Sequence, residues 1–110
     1  MELPNRENAY IPPAKLYDYL LSETHPAGGA KARFLIAAGF NQTNVDVLEQ
    51  GLITIAQSQE VTEVIPTRYG IKYIIDGVLQ TPTGVPLQMR TVWFVDIAQD
   101  NPRLVTTYPA

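Results

Sequence analysis

Hydrophobic and polar positions change rhythm once along this chain. Before Val61 the apolar residues recur at three and four. After it they alternate, so helices are expected first and strands second. In "PPAKLYDYLLS" the prolines suit the first turn of a helix. Leu16, Tyr17, Leu20 and Leu21 recur at helical spacing, which predicts a helix from about Pro13 to Ser22. A second helix is expected from about Gly29 to Ala38, with an apolar stripe of Ala30, Phe34, Ala37 and Ala38. Gly39 is placed to end it in the left-handed conformation. The third begins at "TNVD", where Thr43 or Asn44 serves as cap. Its stripe of Val45, Leu48, Leu52 and Ile55 carries it to about Gln57.

Beyond Val61 the period is two. "GIKYIIDGVLQTPTGVPLQMRTVWFVD" reads as one long hairpin about "TPTG", with arms Gly70–Gln80 and Val85–Asp96 and Gly77 as a kink or bulge. A tight turn at Asp76-Gly77 is the second choice, because it leaves only a stub before "TPTG". "RLVTTY" is a further strand, and "EVTEVIP" is an edge strand ending at Pro66. Val85, Leu87, Met89, Thr91, Trp93 and Val95 share one face, opposite Tyr73, Ile75 and Leu79. Gln88, Arg90, Val92 and Phe94 occupy the other. Folding about "TPTG" sets Arg90 across from Asp76, as an ion pair. The expected fold is α+β: three N-terminal helices packed on one face of a C-terminal antiparallel sheet of about four strands.

Composition narrows this picture. The chain has 110 residues, 45% hydrophobic and 17% charged, which suits one folded domain. It has no cysteine and one histidine, so neither disulfides nor a structural zinc site is expected, and no cofactor is implied. No apolar run reaches membrane-spanning length, and the N-terminus lacks the basic start and apolar core of a secretory signal. Those features point to a cytoplasmic protein. The net charge of −3 argues against strong non-specific nucleic-acid binding. Between Thr24 and Val45, however, Lys31 and Arg33 stand without an acid.

Candidate chemistry concentrates in "HPAGGAKARF". His25 has the pKa range of a general acid or base, and its ordinary reading is a turn residue before Pro26. Gly28 and Gly29 open a helix whose backbone N–H groups can hold a phosphate. Lys31 opposes the helix dipole in the first turn. Its helical angle falls between Phe34 and Leu35, toward the buried side, so a snorkelling lysine is the alternative. The spacing is not that of a nucleotide-hydrolase phosphate loop. Thr106 and Thr107 point to opposite faces, so at most one serves a site. Trp93 reads as core. The tyrosines are too scattered in sequence to form a stacking track.

Taken in order, "AKLYDYLLS", "HPAGGAKARFLIAAGF", "YGIKYIIDG", "RTVWFVD" and "RLVTTYP" resemble the blocks of one bacterial family. It is an uncharacterised domain found as short stand-alone proteins and at the C-termini of large secreted polymorphic toxins. Such toxin tips are similar in layout to the barnase–EndoU–colicin–RelE superfamily of metal-independent ribonucleases. The resemblance implies His25, Lys31, Arg90 and Thr106 as catalytic candidates. It adds Gly28, Gly29, Arg33, Thr107 and Tyr108 as binding candidates, with no metal. Its first implication is a stand-alone homologue of toxin-tip domains that cleaves RNA or is a degenerate form. The alternatives are a binding or homodimerisation module using Val92 and Phe94, and an accessory protein of a toxin–antitoxin locus. The partners to test are therefore RNA, a second copy, and an immunity or antitoxin protein. Nuclease chemistry requires "HPAGGAK", "RTVW" and "VTTYP" to meet in space.

Overall fold

A computed structural model describes residues 1–22 and 29–110. The architecture is α+β, with a four-stranded antiparallel sheet in the order β1-β2-β3-β4: Glu63–Thr67, Gly70–Leu79, Leu87–Asp96 and Arg103–Pro109. A 3-10 turn, Arg6–Asn8, precedes a short α1, Pro13–Lys15, which runs into a π turn over Leu16–Leu20. Two further helices follow, α2 (Gly29–Ala37) and α3 (Val45–Ser58).

The first helix is thus only partly α. The N–H of Leu21 reaches the C=O of Leu16 at 3.1 Å, a five-residue step. That widened turn buries Leu16, Leu20 and Leu21 together. α2 begins and ends near its expected limits but is rotated from the expected stripe. Gly29, Ala32 and Leu35 face inward, while Phe34 is 37% exposed. Gly39 ends it with φ of 103°, a left-handed value that favours glycine. Asn44 precedes α3 and accepts the Val47 N–H at its C=O at 3.0 Å, but its side chain makes no bond to the helix. Its side chain accepts from the Asn41 N–H at 2.8 Å and donates to the Gly39 C=O at 3.0 Å, which pins the connecting loop.

One hydrophobic core joins these pieces. Leu16, Leu20, Leu35, Leu48, Leu52 and Ile55 meet Tyr73, Ile75, Leu79, Met89, Trp93 and Leu104. The helices do not form an even layer: α3 lies along β2 and β3, α1 touches β4, and α2 packs chiefly on the π turn. Trp93 is fully buried, with its Nε1–H on Thr91 Oγ1 at 2.8 Å. Thr91 in turn donates to the Ile75 C=O at 2.7 Å, so no donor in this chain of contacts is wasted.

The long hairpin turns at "TPTG" and sets Asp76 opposite Arg90. Gly77 is neither kink nor bulge: it pairs in register with Met89. Its role is steric, since a Cβ there would lie 2.8 Å from Ile55 Cγ2. The bulge lies instead in β4. Trp93 pairs with Leu104 and Val92 with Thr106, which leaves Val105 as the extra residue. Leu104 and Thr107 therefore both face the core, and Thr106 and Tyr108 share the opposite face with Val92 and Arg90. The expected edge strand exists and continues one residue past Pro66.

Candidate functional site

The face of the sheet turned away from Trp93 carries the candidate site. Lys31 rises from the first turn of α2, two residues after the buried Gly29. Its Nζ donates to Thr106 Oγ1 at 2.9 Å and sits 5.6 Å from the centroid of the Tyr108 ring, within cation–π range. Tyr108 lies directly across from Arg90, and Thr106 across from Val92. Four of the expected residues, Lys31, Arg90, Thr106 and Tyr108, thus gather at one place on β3 and β4.

Arg90 is held by Asp76. Its Nε donates to Oδ1 at 2.9 Å and its Nη2 to Oδ2 at 3.0 Å, a two-pronged contact between paired strands. These bonds hold the Asp76 carboxyl below the usual carboxylate range and raise Arg90 above its ordinary value, with a smaller contribution from Tyr108. The guanidinium is therefore a fixed, permanent cation. Its side chain is 41% exposed, and the carboxylate engages only two of its five N–H groups. The expected ion pair and the expected site residue are one feature: the pair orients the cation.

A second pair flanks this cluster. Arg103 donates to Asp96 through Nε at 2.7 Å and Nη2 at 3.1 Å, while its guanidinium carbon lies 5.2 Å from the Phe94 ring centroid. Bonding to Arg103 lowers the Asp96 carboxyl in the same way. This feature was not anticipated. A hairpin closing over "AQDNP" would have brought Arg103 beside Phe94. The pair also changes the expected protein-binding face, because Val92 is only 6% exposed and Phe94 is half-buried beside Arg103.

Other candidates separate from the cluster. Thr107 is 1% exposed on the core face, and its Oγ1 donates to the Arg90 C=O at 2.9 Å, which supports the strand rather than a ligand. Arg33 is exposed two positions along α2 from Lys31, about 200° around the helix. Gly29 is buried at the start of α2. His25 and Gly28 lie outside the described residues. Among the described residues no three or more His, Cys, Asp or Glu side chains gather to hold a metal ion.

The chain belongs to the family described as Domain of unknown function (DUF6883), whose model matches residues 2–110. No curated protein matches it. Among solved structures it is similar to a chain of a contact-dependent growth inhibition toxin–immunity protein complex from Klebsiella pneumoniae 342. The TM-score is 0.74 over 94% of this chain and 95% of that chain, at 18% identity. At that identity the likeness is one of fold. Among the described residues no helix is long and apolar enough to cross a membrane.

Proposed function

We propose that this chain is a toxin-associated domain that cleaves RNA without a metal ion, with the Lys31–Thr106–Tyr108–Arg90 cluster as its phosphate site. One observation carries the reading: Lys31, from a helix, reaches Thr106 beside Tyr108, directly across from a clamped Arg90. Two cations and a hydroxyl on one sheet face suit a phosphodiester, whose charge grows during displacement. The fold likeness to a toxin–immunity complex supports the toxin-associated half of the reading.

In this mechanism the 2′-hydroxyl of RNA attacks the adjacent phosphorus. The 2′-O–P bond forms, the P–O5′ bond breaks, and a 2′,3′-cyclic phosphate remains. His25, six residues before Lys31 in sequence, takes the 2′-hydroxyl proton while water protonates the departing O5′, or protonates O5′ while water takes the 2′-hydroxyl proton. Lys31 and Arg90 stabilise the phosphoryl oxygens, and Thr106 donates a hydrogen bond once Lys31 turns to the phosphate. Asp76 holds Arg90 in place.

The test uses purified protein and total RNA in EDTA, with His25→Ala in parallel and the product ends identified. Cleavage leaving cyclic phosphates, with a loss of about 10²–10⁴-fold in the variant, is expected. Intact RNA, or equal cleavage by both proteins, removes this mechanism.

A further inference from the structure

A different part of the sheet, independent of the RNA reading, offers a docking surface. β1 covers only half of β2: its pairing stops at Glu63 opposite Ile74, while β2 continues to Leu79. Thr62 N–H bonds to the Ile74 C=O at 2.8 Å, which marks Ile74 as facing the β1 side. Strand alternation then turns the backbone N–H and C=O of Asp76 and Val78 out of the same edge, beyond the end of β1. Among the described residues no backbone group bonds to them from that side.

The other sheet edges are protected. β1 carries Pro66, which has no N–H to offer a further strand. β4 is bulged at Val105, bonded at Leu104 by the Tyr10 C=O, and ends in Pro109. The Asp76–Leu79 stretch has no proline and no bulge. It is the kind of edge that proteins usually blunt unless something pairs with it.

A groove of about 460 Å³ runs along this edge, between it and α3. Asp46, Val47, Gln50, Thr54, Val78 and Gln80 line it, and α3 is held close because Gly51 and Gly77 carry no Cβ. Val47 and Val78 are 47% and 49% exposed, and among the described residues Asp46 is the one charged residue of the lining. An edge strand beside a helix, with an apolar middle and polar ends, matches the way extended peptides add to sheets.

We infer that this groove binds an extended segment of a partner protein as an added strand beside Asp76–Leu79. The segment sets one small apolar side chain against Val47 on the α3 side, the next against Val78 on the other face, and a lysine or arginine toward Asp46. Main-chain bonds to Asp76 and Val78 supply affinity, and the two pockets supply selection. Its core is four or five residues, because the open edge spans roughly 13–17 Å at about 3.3 Å per residue.

The experiment selects random octapeptides displayed on phage against the whole protein. An enriched synthetic peptide is then titrated by fluorescence anisotropy. The enriched sequences should share an apolar residue and a nearby cation. Binding should weaken at least about tenfold in Val78→Arg and in Asp46→Lys, both exposed positions, and on N-methylation of the peptide's bonding amide. Peptide should also slow hydrogen exchange at the Asp76 and Val78 amides. Circular dichroism and the melting temperature of each variant confirm folding, and the N-methylated peptide tests the edge without altering the protein. Failure to enrich any peptide over an unrelated control protein overturns the inference. So does equal binding by Val78→Arg. Sedimentation showing a wild-type dimer that Val78→Arg dissolves would assign the edge to a second copy, and that also overturns it.

Discussion

Lys31 Nζ and Thr106 Oγ1 lie 2.9 Å apart although 75 residues separate them in sequence. The bond ties α2 to β4, and so joins the glycine-led helix to the last strand. A cation from the first half of the chain is thereby delivered to a sheet face built entirely from the second half. Removing either partner should show this coupling in stability. In a double-mutant cycle of Lys31→Met and Thr106→Val, urea denaturation should give a non-additive energy of about 1 kcal/mol. Strictly additive losses would mean that the contact contributes nothing.

Asp76 and Arg90 contribute to the acid response, as do Asp96 and Arg103. The Asp76 carboxyl is lowered first by its hydrogen bonds from Arg90. A carboxyl depressed in the folded state adds stability above its unfolded pKa, about 3.9, and that stability is lost as pH falls through the folded value. Wild type should therefore exceed Asp76→Asn in stability at neutral pH, and the gap should narrow below about pH 4. Urea midpoints for both proteins between about pH 7 and pH 2.5 measure it. A gap that stays constant across that range contradicts the assignment.

The two glycines of β2 should differ in tolerance. At Gly77 an added Cβ meets the side chain of Ile55, which can shift, so Gly77→Ala should cost roughly 1–3 kcal/mol. At Gly70, φ is 150° and the added atom would strike the backbone C=O of Val95, which cannot move without breaking the sheet. Gly70→Ala should be the more damaging change by thermal denaturation. The reverse order would show that α3 cannot adjust over β2.

Thr91 is the hinge of the buried polar chain beneath Trp93. Thr91→Val keeps the shape but leaves the Trp93 Nε1–H without its acceptor and takes the hydroxyl away from the Ile75 C=O. The loss should be about 2–4 kcal/mol, larger than Thr106→Val on the opposite face. Equal midpoints for the two variants would mean that water or a neighbour replaces the lost hydroxyl.

The sheet was legible because its signals were local. "TPTG" and two arms of matching length set the register, and alternation sorted Thr91 and Trp93 from Arg90 and Val92. The opposite facing of Thr106 and Thr107 also followed from alternation, although the bulge at Val105 did not. Gly77 was misjudged because a missing side chain signals close approach as readily as a bulge. What approaches, Ile55 of α3, is distant in sequence. α2 was misjudged in rotation because Phe34 is the largest apolar residue in a helix of small ones. Ala32 and Leu35 are buried instead, in a helix that packs chiefly on the π turn, so packing overrode side-chain size.

The candidate site was legible in parts. The position of Lys31, out of place against the helix dipole and angled toward Leu35, was its clearest sign. By alternation Arg90 showed itself as half of an ion pair, its site role came only from the resemblance, and its second neighbour, Tyr108, depended on how β4 docks. No local pattern announces that docking. The open edge at Asp76 and Val78 was hidden for the same reason, since it exists only because β1 stops early.

The Lys31–Thr106–Arg90 cluster is proposed to handle an RNA phosphate. The most direct measurement is the initial rate of cleavage of a single-stranded RNA in EDTA by wild type and Lys31→Ala, each shown to be folded by circular dichroism. Metal-independent cleavage by wild type and a loss of about 10²–10³-fold in the variant are expected. Equal rates, or no cleavage by wild type, would contradict it.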